Sequence, residues 1–228
     1  MLKVAICGAS GRMGTAIKEH ILKEGTRFSY IRGFAGSASD DLTATDLNQW
    51  DPQEIDVVID FSLPESFSKV FAWCSENKKP MVSGTTGFSL ADYNGKADFP
   101  FMHSGNYSLG VAGLIRSVEA FKKMSRDAQI WVEDYHHTKK LDSPSGTAVK
   151  IKDKIVNYLG KEDVEIKAVR AGSIFGVHNI HIATDQEWVT LTHKALNRGV
   201  FAEGALNAVE WLAEQKAGAY TFEDFLGF

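Results

Sequence analysis

A doubly wound α/β sheet followed by a second, α+β region with an open mixed sheet is what three features of this chain predict. Short apolar runs alternate with stretches of helical period through the first hundred or so residues, a glycine-spaced turn joins the first run to the first helical stretch, and after Ser108 the texture changes. Leu2 to Cys7 reads as a strand, about Arg12 to Lys23 as a helix, and Phe28 to Ile31 as the next strand. Val57 to Phe61 is a buried strand ending in a polar turn. Pro64 then suits the first turn of a helix carrying Phe67, Val70, Phe71 and Cys74 at helical spacing. Pro80 to Ser83 and Phe99 to Met102 supply further strands. Repeated strand-helix-strand order argues for parallel pairing.

The second region opens with a long helical pattern through Leu114, Val118 and Phe121, followed by Ile130 to Glu133 as a strand. Ile180 to Ile182 and Val189 to His193 alternate at period two around Asp185-Gln186, as an antiparallel pair with one half-exposed face does. Solvent, helices of the same chain or a matching sheet of another subunit would cover that face. From Phe201 to Ala213 a helical pattern returns through Ala205, Val209 and Leu212, and Phe222, Phe225, Leu226 and Phe228 look core-seeking. Residues 1–105 with 199–228 are expected to form a dinucleotide-binding domain and 106–198 a substrate-binding and oligomerisation domain.

Composition narrows the functions available. The chain has 228 residues, 44% of them hydrophobic, enough for substantial cores. A net charge of −4 gives no broad basic field for nucleic acid or anionic lipid, so any anion site is local. Two cysteines, Cys7 and Cys74, have no metal-type spacing and fit a reducing cytoplasm. The apolar run at the N-terminus is far shorter than the ~20 residues of a membrane span and reads as a strand, not a signal.

Gly8-Ala9-Ser10-Gly11-Arg12-Met13-Gly14 directly follows a strand and opens a helix, the context of a Rossmann-type dinucleotide-binding turn. Its glycines let backbone approach a pyrophosphate, helix amides receive it, and Arg12 adds a cation. The spacing is a variant of the usual GxGxxG. An acid gripping the adenosine ribose is expected about 20 residues on. Phe34, Ala35 and Gly36 occupy that region instead, and Arg32 is either near enough to meet a ribose phosphate, which favours NADPH, or a solvated surface arginine. Ligands collect at the carboxyl ends of parallel strands, so this turn, Phe61-Ser62, Gly84 to Gly87 and Ser104-Gly105-Asn106-Tyr107 are expected to converge.

The segment from Glu133 to Ala148 holds the adjacent histidines His136 and His137, the cation Lys140 and a helix start at Ser145-Gly146-Thr147. Imidazoles titrating near neutral pH, a fixed cation and helix-start amides together suit a small dianion. His178 and His181, three apart on a strand, point to opposite faces, so no shared metal is expected and ordinary hydrogen-bonding roles are assigned to them, to His193 and to His20. Trp131, Trp188 and Trp211 read as core or interface.

Taken together, the glycine turn, Asp60-Phe61-Ser62-Leu63-Pro64-Glu65, Gly84-Thr85-Thr86-Gly87, Asn106 to Val111, the His-His-x-x-Lys-x-Asp-x-Pro-Ser-Gly-Thr-Ala segment, Arg170 to Gly176 and Thr192-His193-Lys194-Ala195 resemble 4-hydroxy-tetrahydrodipicolinate reductase over nearly the whole chain. The resemblance implies reduction of a cyclic dicarboxylate in lysine (diaminopimelate) biosynthesis by hydride from NADPH or NADH, in a cytoplasmic homotetramer. It implies His136 as proton donor assisted by Lys140, with His137, Lys140, Ser145, Gly146 and Thr147 holding the substrate. Cofactor binding would fall to Gly8, Gly11, Arg12, Met13, Gly14, Arg32, Phe61, Ser62, Gly84, Thr85, Thr86, Ser104, Gly105, Asn106, Tyr107, Arg198 and Phe201, with no metal. The site would then lie between the domains, and their closure would exclude water. The alternatives are a dehydrogenase of another amino or oxo diacid such as aspartate, and a sensor that binds NAD(P)H without turnover.

Overall fold

The computed structural model describes residues 1–37, 40–124 and 126–227, so Phe228 lies outside the described residues. The chain divides into two compact units, Met1–Tyr107 with Phe201–Phe228, and Ser108–Val200.

The first unit contains strands β1 (Leu2–Cys7), β2 (Phe28–Phe34), β3 (Thr43–Ala44), β4 (Val57–Asp60), β5 (Met81–Ser83), β6 (Pro100–His103) and β11 (Gly218–Tyr220). They form one parallel sheet in the order β11-β6-β5-β4-β1-β2-β3. Its helices are α1 (Arg12–Glu24), α2 (Pro64–Asn77), the short α3 (Ala91–Asn94), α6 (Gly199–Leu212), whose first two residues belong to the other unit, and α7 (Phe222–Leu226). The central strands are apolar over most of their length because both faces are covered: Ala5, Cys7, Val58, Met81 and Phe101 pack with Phe67, Val70, Phe71 and Cys74 of α2. Val4, Ile6, Val57, Ile59 and Val82, of opposite parity, are equally inaccessible. Helix α2 starts on Pro64 and ends where Lys78 turns left-handed.

The second unit holds α4 (Leu109–Ser117), β7 (Gln129–His136), α5 (Gly146–Leu159), β8 (Glu165–Arg170), β9 (Gly176–Ala183) and β10 (Trp188–Ala195). The sheet order is β10-β9-β7-β8, with β7 and β8 parallel and the other pairs antiparallel. One face, with Ile130, Val132, Ile180 and Ile182, packs on Ile151, Ile155 and Leu159 of α5 and on Val111 and Leu114 of α4. The opposite face carries Trp131, stacked on His181 at 4.6 Å, and Trp188, which is 63% exposed.

Strand β7 runs to His136, three residues beyond the apolar stretch that marks it in the sequence. Strands β3, β8 and β11 carry weak apolar signals. The helical pattern through Phe121 breaks at Ser117 into a 3-10 turn. Among the described residues no helix is long and apolar enough to cross a membrane.

Candidate active site

In the first unit, β1, β4, β5 and β6 are neighbours and parallel, so their following loops emerge at one edge. Gly8 has φ +77, and a Cβ there would strike the Phe61 carbonyl; one on Gly14 would strike the Gly8 carbonyl. Gly11 is the N-cap of α1 and offers no side-chain cap, which leaves that helix start for a ligand to satisfy. Arg12 is exposed, and Met13 is half-buried. A Cβ on Gly84 would enter the Phe61 ring.

Asp60, wholly buried at the end of β4, ties these loops together. Its carboxylate accepts from the hydroxyls of Ser83 and Thr85, each at 2.8 Å, and from the Ser62 amide at 3.1 Å. Thr85 also donates to the Ser62 carbonyl at 3.2 Å, while Thr86 and Gly105 stay exposed. The Ser104 hydroxyl donates to the Asn106 carbonyl at 2.8 Å. The four loops therefore do converge.

Three assignments need correcting or qualifying. Tyr107 does not present its side chain to a ligand: it is 1% exposed, its hydroxyl donates to the Ser83 carbonyl at 2.7 Å, and its ring packs on Phe222. Arg32 lies within β2 with a guanidinium nitrogen 3.3 Å from Glu54, so its charge is already partly matched. Arg198 belongs to the second unit, where its guanidinium sits over the Phe175 ring, whereas half-buried Phe201 belongs to the first.

In the second unit the site is written in strand register. Along β7 the even positions face the core, so Asp134 and His136 continue the buried row begun by Ile130 and Val132. Asp134 pairs across to His178 on β9, His178 to His193 on β10, and His136 to Arg170 on β8. Four polar residues and an arginine thus meet at one end of an apolar sheet face.

Asp134 is fully buried, a position that costs an unpaired carboxylate several kcal/mol. It is not unpaired. Its carboxylate takes the Ser145 amide and hydroxyl, both at 2.8 Å, and Arg170 Nη2 at 3.0 Å, with His136 Nδ1 at 2.9 Å and His178 Nε2 at 3.3 Å. Burial opposes ionisation, but the donors from His136, His178 and Ser145 outweigh it and hold the carboxyl far below the usual range. Arg170 also donates to the carbonyls of Asp134 and Asp142, at 3.0 and 2.7 Å. His193 lies 3.2 Å from the Ser108 hydroxyl, and burial, with His178 adding to it, lowers its pKa.

Ser145 caps α5, its hydroxyl accepting from the Ala148 amide at 3.1 Å. Its own amide and hydroxyl are both donated to Asp134 in the free chain. Gly146 and Thr147 are the first two residues of α5. A Cβ on Gly146 would meet nothing within 4 Å, so its surroundings are open. Lys140 Nζ lies 2.8 Å from the Asp142 carboxylate. Burial pushes that carboxyl up, but Lys140 with the Asp142 and Gly146 amides together outweigh it and draw it below its ordinary value. The chain's own Asp142 thus occupies Lys140 and the helix start that the sequence assigns to a substrate carboxylate. His137 is half-buried beside His136.

Reading the sequence missed Asp60, Asp134, Asp142 and Arg170 as site builders and gave His178 an ordinary role. Period-two parity was the available signal, since Asp134 and His136, two apart on one strand, must share a face.

Comparison with known proteins bears on both units. A family model described as the N-terminus of dihydrodipicolinate reductase matches residues 2–99, and one described as its C-terminus matches residues 110–226. A 4-hydroxy-tetrahydrodipicolinate reductase of Bdellovibrio bacteriovorus is 38% identical over 239 residues, 99% of this chain and 96% of the relative. One from Pseudoalteromonas atlantica is 35% identical, covering 100% of this chain and 99% of its own. Among solved structures, a dipicolinate-bound dihydrodipicolinate reductase from Paenisporosarcina sp. TG-14 matches with a TM-score of 0.82 at 20% identity over 97% of each chain, a likeness of fold. The chain belongs to the dihydrodipicolinate reductase family.

Proposed function

We propose that this chain reduces 4-hydroxy-tetrahydrodipicolinate to tetrahydrodipicolinate in lysine biosynthesis, with NADPH or NADH as reductant. The observation that carries this is the second unit's pairing of a nine-tenths-buried histidine, His136, with a cation and a helix start, Lys140 and Gly146-Thr147, along one short segment. A doubly negative ring asks for that combination.

The glycine turn fits a dinucleotide, because side chains are excluded where backbone must approach and the start of α1 has no cap of its own. Gly8, Gly11, Arg12, Met13 and Gly14 would hold the pyrophosphate, with Ser62, Gly84, Thr85 and Thr86 along the same edge. The bound nicotinamide supplies the hydride. Lys140 and the Gly146 and Thr147 amides then hold a ring carboxylate, displacing Asp142. His136 gives a proton to the ring as hydride adds; overall a hydride and a proton enter and water leaves.

Unpaired, buried Cys7 and Cys74 suit a cytoplasmic enzyme. The open sheet face with exposed Trp188 supports assembly into a homo-oligomer, which we take to be a tetramer.

The test is oxidation of NADPH and of NADH by the chain in the presence of the condensation product of pyruvate and aspartate semialdehyde, with dipicolinate as inhibitor. Turnover blocked by dipicolinate is expected. In His136→Gln, kcat should fall about 100- to 10,000-fold with KM within a few-fold. Cofactor binding without turnover in the unaltered chain would favour a sensor and overturn the proposal.

A further inference from the structure

Asp134, His136 and His178 bring ligand-type atoms within 4.8 Å of one another, the arrangement of a candidate metal site. The donors around Asp134 speak against that use. A carboxylate offers about four lone-pair positions, and here three take the Ser145 amide and hydroxyl and Arg170 Nη2, while His136 Nδ1 and His178 Nε2 crowd the remainder. A dication would have to displace these donors with a guanidinium 3.0 Å from the same carboxylate.

We infer instead that Asp134 is a positioning residue: it sets the ring of His136 and, through Ser145, the start of α5, so that proton source and anion cradle share one anchor. The inference rests on the reading of His136 as proton donor. With Nδ1 turned to Asp134, Nε2 is the nitrogen left to exchange a proton with substrate. The Nδ1 contact is short but too oblique for an aligned hydrogen bond in the free chain, as catalytic hydrogen bonds often are before substrate binds. On the other side of the ring stands Gly176, where a Cβ would lie 3.0 Å from Nε2, so the missing side chain keeps that nitrogen clear.

The second role follows from the same carboxylate. Ser145 is eleven positions from Asp134 in sequence, yet both of its donors end there, and it is the N-cap of α5. Arg170 closes the arrangement by holding Asp134 and the Asp142 carbonyl together. Loss of the Asp134 charge therefore loosens His136 and the cradle together.

The experiment compares Asp134→Asn, Asp134→Glu and His136→Gln in the full-length chain, measuring kcat and KM across pH, with NADPH binding as the check that the first unit is intact and circular dichroism melting as the check on folding. Asp134→Asn should lower kcat about 10- to 100-fold and move the high-pH limb of kcat/KM to lower pH, because the protonated ring has lost its counter-charge; Asp134→Glu should recover part of both. A merely structural role would reduce the yield of folded enzyme without moving that limb. A folded Asp134→Asn with the unaltered profile overturns the inference. Should Asp134→Asn not fold, the decision passes to Asp134→Glu: a displaced limb supports the inference and an unmoved one overturns it. An active His136→Gln would instead overturn the assignment of the proton donor, an outcome distinct from either.

Discussion

Two buried aspartates organise the two units, and their surroundings differ in kind. Asp60, at the end of β4, collects neutral donors among the described residues: two hydroxyls and a backbone amide. Asp134, near the end of β7, collects a serine's amide and hydroxyl but adds two imidazoles and a guanidinium. Each solves the same problem of stabilising a carboxylate in a dry sheet end by recruiting donors from neighbouring strand ends and loops. Among the described residues, the second alone recruits imidazoles. The first unit's device can shape a binding edge. The second unit's device can also serve chemistry.

The sharpest break of this comparison is Asp60→Asn. Leaving the Ser83, Thr85 and Ser62 donors mismatched should raise KM for NADPH about 10-fold or more. Substrate KM and the pH profile should stay as they are; if steady-state kinetics instead showed the pH limb moving, the two aspartates would not divide their tasks this way.

A smaller effect is expected at Asp142, which holds Lys140 at 2.8 Å in the free chain. Asp142→Asn removes a competing carboxylate, so KM for substrate and Ki for dipicolinate should both fall about 3- to 10-fold, on the order of 1 kcal/mol. A rise in both would mean that Asp142 orients Lys140 rather than competing for it.

The smallest effect belongs to Arg32. Its partly exposed pair with Glu54 is the kind worth less than about 1 kcal/mol, and it lies inside β2 rather than in the following loop. Arg32→Ala should therefore change the NADPH to NADH preference in kcat/KM by less than about 3-fold. A tenfold loss of NADPH preference would restore it as a ribose-phosphate contact.

The first unit was the more legible. Its strands are continuous apolar runs, its glycines stand where backbone crowds backbone, and the convergence of four loops follows from parallel order alone. The burial of Tyr107 was not legible, because a tyrosine in a loop motif gives no local sign that its ring enters the core and its hydroxyl reaches Ser83. In the second unit, His136, Lys140 and the start of α5 were legible as a cluster because they are close in sequence. Arg170, His178 and His193 reach the same cluster through cross-strand register, which depends on β8, a strand whose residues are largely exposed or half-buried and so carry little apolar pattern. Ser145 shows the remaining gap: its position at a helix start was evident, but its commitment to Asp134 is a tertiary contact.

The most direct measurement is a crystal structure of the chain with dipicolinate bound. The account predicts one ligand carboxylate on Lys140 Nζ and the Gly146 and Thr147 amides, the Asp142 carboxylate moved off Lys140, and the pyridine ring within reach of His136 Nε2. Dipicolinate bound away from this segment, with Asp142 still on Lys140, would contradict it.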